Sequence, residues 1–147
     1  MVYLDSSSMV KRYVEAPRSK IVREVYLKAY LAELVIAFSS WNIGEVLGSF
    51  DIALIRGNLS QKDYSSARKR LFLETRRLIR LEALKLIPLR LKLLIECWSL
   101  LERHHIYQAD ALQIASTKII NATNFFTGDK KLYEVAKAEG LNSILIT

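Results

Sequence analysis

The sequence has one cysteine, two prolines and five glycines among 147 residues, and it contains no repeat, low-complexity segment or flexible linker. The single thiol, Cys97, cannot form an internal disulfide, and we expect it to be a buried bystander in a cytoplasmic protein. No apolar run approaches the roughly 20 residues that a membrane span requires. The amino terminus also has neither the basic segment nor the cleavage site of a signal peptide. We therefore expect one globular domain over residues 1–147, with no membrane partner.

Acidic residues are outnumbered, with 15 Asp and Glu against 22 Lys and Arg, which gives a net charge of +7. The apolar share of 51% is too high for a disordered chain. The positive charge points to a polyanionic partner, either nucleic acid or an acidic protein segment. The densest basic run, residues 68–80, is either a solvated helix face or a contact for such a partner.

The hydrophobic pattern predicts five short strands among seven helices, in the order βααβααβααβαβ. The predicted strands are residues 2–4, 34–38, 83–87, 124–126 and 143–146. The predicted helices are residues 8–15, 19–30, 40–55, 60–78, 88–103, 106–118 and 130–138. Pro17 fits the start of the second helix, and Pro88 suits the first turn of the fifth. This order predicts a three-layer α/β domain with a short-stranded, mostly parallel sheet. The helix after Pro88 is so rich in leucine that we expect it to be central or to form an oligomer contact.

Four carboxylates stand at unusual places in this pattern. Asp5 and Asp129 each follow a predicted strand and precede a predicted helix, the position where ligands gather in open parallel sheets. Asp110 lies near the start of a helix of small and apolar residues. Glu45 is a lone acid in an apolar stretch, beside Gly44, which would allow another backbone to approach closely.

Each acid also has a purely structural explanation. Asp5 and Asp129 are plausible N-caps, Asp110 can complement a helix dipole, and Glu45 can be an exposed helix residue. Four such acids together favour a shared site. Two carboxylates within about 5 Å would repel by roughly 3 kcal/mol at an effective dielectric near 20, so a cluster needs a cation or bound protons.

The ligand types select the ion. Carboxylate oxygens without a nearby Cys and His set predict Mg²⁺ or Mn²⁺ and not zinc. His104 and His105 end a helix, where imidazoles suit the dipole, and we do not expect them to be ligands. Carboxylate-held Mg²⁺ beside a basic surface is the arrangement for phosphodiester hydrolysis.

The same residues resemble the four acidic motifs of PIN-domain nucleases, and more narrowly those of VapC-type toxins of toxin–antitoxin pairs. The resemblance spans essentially the whole chain and is carried by Leu4-Asp5-Ser6-Ser7, by Glu45 within residues 43–47, by Asp110-Ala-Leu-Gln-Ile-Ala115 and by Phe126-Thr-Gly-Asp129. Gly44 departs from it, because an apolar residue is expected there.

This resemblance implies that Asp5 and Asp110 are direct metal ligands, and that Glu45 and Asp129 act through water or orient the nucleophile. It also implies that the hydroxyls of Ser7 and Thr127 support the acids. Membership would imply an endoribonuclease acting on structured RNA and leaving 5′-phosphate and 3′-hydroxyl ends. It would further imply a homodimer, inhibited by a small antitoxin whose tail occupies the active-site groove.

We hypothesise that one or two Mg²⁺ ions activate a water for in-line attack on a phosphate, and that Lys11, Arg12 or Lys130 holds the RNA. Three alternatives stay open at this point. They are a catalytically inactive PIN-like domain that binds RNA or protein, a metal-dependent DNA nuclease, and a phosphoacceptor α/β domain, for which no suitable lysine is found.

Overall fold

The computed structural model describes residues 1–147 and contains the predicted alternation of five strands and seven helices. The strands are β1 (Val2–Leu4), β2 (Ile36–Ser39), β3 (Leu84–Ile87), β4 (Asn124–Thr127) and β5 (Ser143–Leu145). The helices are α1 (Ser6–Tyr13), α2 (Ser19–Tyr30), α3 (Ser40–Ile55), α4 (Gln61–Arg80), α5 (Leu91–His104), α6 (Gln108–Ile119) and α7 (Lys130–Ala138). None of these helices is both long and apolar enough to cross a membrane.

The strands form one sheet in the order β3-β2-β1-β4-β5. The sequence predicts a mostly parallel sheet, and the sheet is parallel throughout. From β1 the chain proceeds outward to β2, whereas from β4 it proceeds outward in the opposite direction to β5. The crevice at the carboxyl ends of β1 and β4 is therefore the topological switch point, where open α/β sheets place their ligands.

Helices cover both faces of the sheet, which confirms the predicted three-layer α/β class. Side chains alternate along β1, so Val2 and Leu4 join a core with α1 to α4, and Tyr3 joins a second core with α5 to α7. The two groups of helices lie on opposite faces because right-handed crossovers change face when the chain reverses its direction across the sheet.

The register of β1 and β4 brings two chain segments together at the crevice. Leu4 is paired with Phe126, and the amide of Asp5 donates to the carbonyl of Phe126 at 3.1 Å. Asp5 and Thr127 therefore leave the sheet side by side, although 122 positions separate them in the sequence.

Helix α1 begins two residues earlier than predicted, at Ser6 instead of Ser8. The reason is that the Asp5 side chain caps it, accepting a hydrogen bond from the Ser8 amide. Ser6 and Ser7 are thereby placed inside the first turn, at the mouth of the crevice.

Helix α2 begins at Ser19 as predicted, directly after a turn that contains Pro17 and Arg18, whose backbone is left-handed with φ of 66°. The prediction that Pro88 lies in the first turn of α5 is wrong, because Leu89 and Arg90 separate the two and the extended backbone of Arg90 delays the helix until Leu91. The other boundaries agree with the sequence within two residues.

Glu139 joins the ends of three helices on the second face. Its side chain is 6% exposed and pairs with Arg103, His104 and Lys118, each at 2.6 Å. Burial alone would raise the pKa of Glu139, but hydrogen bonds from Lys118, His104 and Arg103 lower it to about 2. This cluster accounts for His104, which the sequence did not favour as a metal ligand.

Candidate active site

A cleft of about 240 Å³ opens at the carboxyl ends of β1 and β4. All four acids singled out by the sequence line it: Asp5, Glu45, Asp110 and Asp129. They are contributed by the caps of α1 and α7 and by the bodies of α3 and α6. The fold therefore gathers acids that are remote along the chain, and their role as metal ligands stays a prediction.

Asp5 is the buried floor of the cleft, with 3% of its surface exposed. Its Oδ1 accepts from the Ser8 amide at 2.8 Å and its Oδ2 from Thr127 Oγ1 at 2.5 Å, while Ser7 Oγ lies within 2.8 Å of both oxygens. Burial raises the pKa of Asp5, and hydrogen bonds from Thr127, Ser7 and Ser8 work against that rise. All of these groups donate to the carboxyl, so they favour its ionised form.

The two supporting hydroxyls have their directions set by backbone amides. Ser7 Oγ accepts from the Gly128 amide at 2.7 Å, and Thr127 Oγ1 accepts from the Asp129 amide at 3.0 Å. Each hydroxyl therefore has its hydrogen free to point at Asp5. A Cβ at Gly128 would lie 3.2 Å from Ser7 Oγ, so a larger residue there would displace this hydroxyl by a few tenths of an ångström.

Glu45 is held by one oxygen. Its Oε2 accepts from Ser6 Oγ and, at 3.0 Å, from Gln113 Nε2, which leaves Oε1 uncommitted. Burial raises the pKa of Glu45, and the charges of Asp5 and Asp110 raise it further. The expected close approach at Gly44 is wrong, because a Cβ there would meet nothing within 4 Å.

Asp110 and Asp129 face each other across the open side of the cleft. Asp110 accepts no hydrogen bond, and burial followed by the charge of Asp129 raises its pKa, partly offset by Lys131. Asp129 caps α7 through Oδ1, which accepts from the Leu132 amide at 2.9 Å. The capping interpretation of Asp5 and Asp129 is thus correct, and it is compatible with their place in the cleft.

Sequence reasoning missed a series of hydrogen bonds that leads to Glu45 from the interior. The Tyr3 hydroxyl donates to Gln113 Oε1 at 2.9 Å, which directs the Gln113 amide nitrogen at Glu45. Gln113 follows Asp110 by three residues and so shares its helix face, a spacing that could have identified it. Ser6 carried no comparable signal, because its role depends on where α3 lies.

The basic residues suggested for RNA binding have different surroundings. Arg12 is not available, because its guanidinium is bound to both carboxylate oxygens of Glu74, at 2.8 and 2.7 Å. The Lys11 side chain passes beside Gly128 and donates to the Pro17 carbonyl at 2.8 Å.

Two other lysines lie at the open side of the cleft. Lys130 is exposed and unpaired next to Asp129. Lys131 is close enough for its charge to lower the pKa of Asp110.

The donor set of the cleft fits a hard divalent cation, since it consists of carboxylate and hydroxyl oxygens with no cysteine or histidine. In the present side-chain conformations, however, no three acidic, histidine or cysteine side chains are grouped closely enough to hold an ion. Asp5 is fixed by its hydrogen bonds, so binding an ion requires rotation of the other acids toward it.

Comparison with known proteins connects this geometry to a family. Residues 2–138 match the PIN domain, while no curated protein matches the sequence. VapC20 from Mycobacterium tuberculosis, a toxin that cleaves the sarcin–ricin loop, has a similar structure with a TM-score of 0.67, 16% identity and 96% of each chain covered. FitAcB from Neisseria gonorrhoeae gives a TM-score of 0.64 at 17% identity, covering 98% of this chain and 96% of the other. VapBC2 from Rickettsia felis, solved with a DNA fragment from its promoter, gives 0.65 at 20% identity, covering 100% of both.

At these identities the structural likeness establishes the fold, and the family match carries the assignment. Because the match extends over nearly the whole sequence, this chain belongs to the PIN domain family.

Proposed function

We propose that this protein is a Mg²⁺- or Mn²⁺-dependent endoribonuclease, the toxin of a type II toxin–antitoxin pair, acting in the cytoplasm as one nuclease domain. The observation that carries the proposal is the convergence of Asp5, Glu45, Asp110 and Asp129 on one cleft at the topological switch point. Burial and mutual repulsion raise the pKa values of Glu45 and Asp110, as expected where a cation is to be received.

The residues of the cleft have separable roles. Asp5, held by Ser7 and Thr127, would be a rigid anchor for the metal, and Asp110 would be the second direct ligand. Glu45 Oε1 has no hydrogen-bond partner, so it can accept a proton from the attacking water while Oε2 keeps the side chain in place. Asp129 would orient that water or hold the metal through a water. The bound metal supplies charge neutralisation at the phosphate and lowers the pKa of water.

Cleavage of end-labelled RNA tests this function. The purified protein should cut a structured RNA in the presence of Mg²⁺ or Mn²⁺, and excess chelator should stop the reaction. Asp110→Ala should reduce the rate by about 10³-fold, since a metal contributes several kcal/mol to the barrier. The cut ends should be 5′-phosphate and 3′-hydroxyl.

The same assay separates the alternatives. DNA of matched sequence should stay intact, and its preferential cleavage would indicate a DNA nuclease instead. RNA that is bound but never cut, whichever metal is added, would indicate an inactive binding domain. A small protein encoded beside this one should suppress cleavage when added in equal amount, as the antitoxin partners of FitAcB and VapBC2 suggest.

We further propose that the protein is a homodimer joined through α5. Four apolar side chains on and beside this helix are exposed, Leu91 by 68%, Ile95 and Trp98 by 48% each and Leu89 by 41%, and Trp41 adjoins them across a small apolar hollow. Such a patch is unusual on a monomer surface, and α5 has an apolar core on its other side.

Replacing Trp98 with Asp should therefore convert a dimer into a monomer at micromolar concentration, as measured by sedimentation equilibrium. Leu27→Asp is a suitable control, since Leu27 is at least as exposed as Trp98 but belongs to α2 on the opposite face of the sheet. A monomeric wild-type protein would contradict the dimer proposal.

A further inference from the structure

Helix α4 has a concentration of charge that the catalytic cleft does not use. It carries seven lysines and arginines, all exposed, and none of them forms an ion pair. Its only acids are Asp63 and Glu74, and Glu74 is already neutralised by Arg12. Like charges one turn apart, as at Arg76 and Arg80, weaken an isolated helix, so this arrangement favours an anionic partner.

Four of the cations form a single row. Lys62, Lys69 and Arg76 are spaced by seven residues and Arg80 follows one turn later, so they lie along one side of the helix. That side is opposite the buried residues Ala67, Leu71, Thr75 and Leu78. At about 1.5 Å per residue the row is about 27 Å long. We call these four residues the basic row. Arg68, Arg70 and Arg77 flank it.

The basic row lies outside the cleft but within reach of it. Helix α1 begins at the cleft, and its last turn meets the middle of α4, where Arg12 binds Glu74 and Arg70 lies over the Tyr13 ring at 5.7 Å. Since α1 has eight residues, that meeting point is about 12 Å from the cleft. The carboxyl end of α4 lies near the amino end of β3, on the side of the sheet away from the cleft.

The surroundings of the row suit a nucleic-acid backbone better than an acidic peptide. The depression formed by Leu73, Arg76, Arg77 and Arg80 is lined by α4 alone and has a single apolar side chain, so it offers little apolar surface to a peptide helix. The neighbouring hollow between α1 and α4 is likewise lined mainly by charged side chains, with Leu73 its one apolar residue. The Arg68 guanidinium lies 5.2 Å over the Phe72 ring, which is 42% exposed, and such a flat surface can stack bases.

We propose that the basic row is an accessory RNA site, where Lys62, Lys69, Arg76 and Arg80 bind backbone phosphates of the substrate beyond the cleft. This inference rests on the proposed ribonuclease function and extends it from the reacting phosphate to the flanking RNA. Arg68 and Phe72 would add base stacking without sequence preference.

Salt dependence of RNA binding provides the test. Binding of the full-length protein to a fluorescein-labelled RNA hairpin would be measured by anisotropy in excess chelator, from 50 to 300 mM KCl, so that nothing is cleaved. The row variant replaces all four residues of the basic row with glutamine: Lys62→Gln, Lys69→Gln, Arg76→Gln and Arg80→Gln. Its slope of log affinity against log salt should be lower in magnitude than that of the wild-type protein by about 3, since each phosphate contact contributes about 0.7–0.9. With equal affinities at 1 M salt, this difference in slope corresponds to binding about 10³-fold weaker at 0.1 M salt.

A matched variant keeps the overall charge change the same. It carries glutamine at Lys20, Lys28, Lys85 and Lys92, which are exposed, unpaired and outside α4, and it should lose far less affinity and slope. The melting temperature of the row variant should be unchanged or higher, because removing unpaired like charges relieves repulsion.

Equal RNA binding by the two variants would overturn the inference, and so would failure of the wild-type protein to bind the hairpin. If the row variant lost binding to poly-glutamate but bound RNA as the wild-type protein does, the inference would also be overturned, in favour of a protein partner. RNA that is bound through the row but never cut with metal would refute the nuclease proposal alone. Normal cleavage with an unchanged KM in the row variant would refute the accessory site alone.

Discussion

Asp5→Asn is expected to abolish RNA cleavage while the protein stays folded. The substitution keeps the shape of the side chain and removes the charge that a metal would bind, so the rate should fall by at least about 10³-fold. The cap of α1 should survive, because the asparagine oxygen can still accept from the Ser8 amide.

Stability should change little in this variant because two effects oppose each other. The asparagine NH₂ would face Thr127 Oγ1, whose hydrogen then loses its acceptor, and an unpaired buried donor costs about 1–3 kcal/mol. Removal of a buried charge acts in the opposite direction. Asp51→Asn, at an exposed acid of α3 outside the cleft, is the control and should retain full activity. Cleavage by Asp5→Asn at the wild-type rate would refute the assigned role of Asp5.

Asp110→Asn should have opposite effects on melting temperature with and without metal. Burial and the charge of Asp129 raise the pKa of Asp110, so the folded protein without metal loses stability as the pH rises through that pKa. Neutralising the side chain removes this loss at pH 7. Solvent screening at this partly exposed site limits the gain to less than about 1 kcal/mol, or about 3 °C.

Adding Mn²⁺ should reverse the order of the two proteins. A ligand at 100 times its Kd stabilises a protein by about 2.7 kcal/mol, which raises the melting temperature of a chain of this size by about 5–10 °C. Asp110→Asn should lose most of that rise because a direct ligand is missing, whereas Asp51→Asn should retain it. Equal Mn²⁺ shifts in all three proteins would show that the ion binds elsewhere.

The elements and the candidate acids were accessible from the sequence for simple reasons. Strands buried on both faces appear as short apolar runs, and a polar residue directly after such a run must lie at the edge of the sheet. That rule identifies Asp5 and Asp129 without coordinates. Asp110 and Glu45 were identified because a lone carboxylate in an apolar helix segment is costly without a partner.

Contacts between distant elements could not be read in the same way. The pairing of Arg12 with Glu74 depends on α1 lying beside α4, and the hold of Ser6 and Gln113 on Glu45 depends on α1, α3 and α6 meeting at one point. The late start of α5 depends on the extended backbone of Arg90, to which side-chain periodicity is not sensitive.

By itself the sequence determined the alternation of strands and helices, the two acids at strand ends and the excess of positive charge, since all of these follow from local patterning. Only the tertiary structure decided that β1 and β4 are neighbours, which oxygens of the acids are already engaged and that the charge of α4 is unpaired. The physical reason is that these properties belong to pairs of residues far apart in the chain, and packing across the sheet alone brings such pairs together.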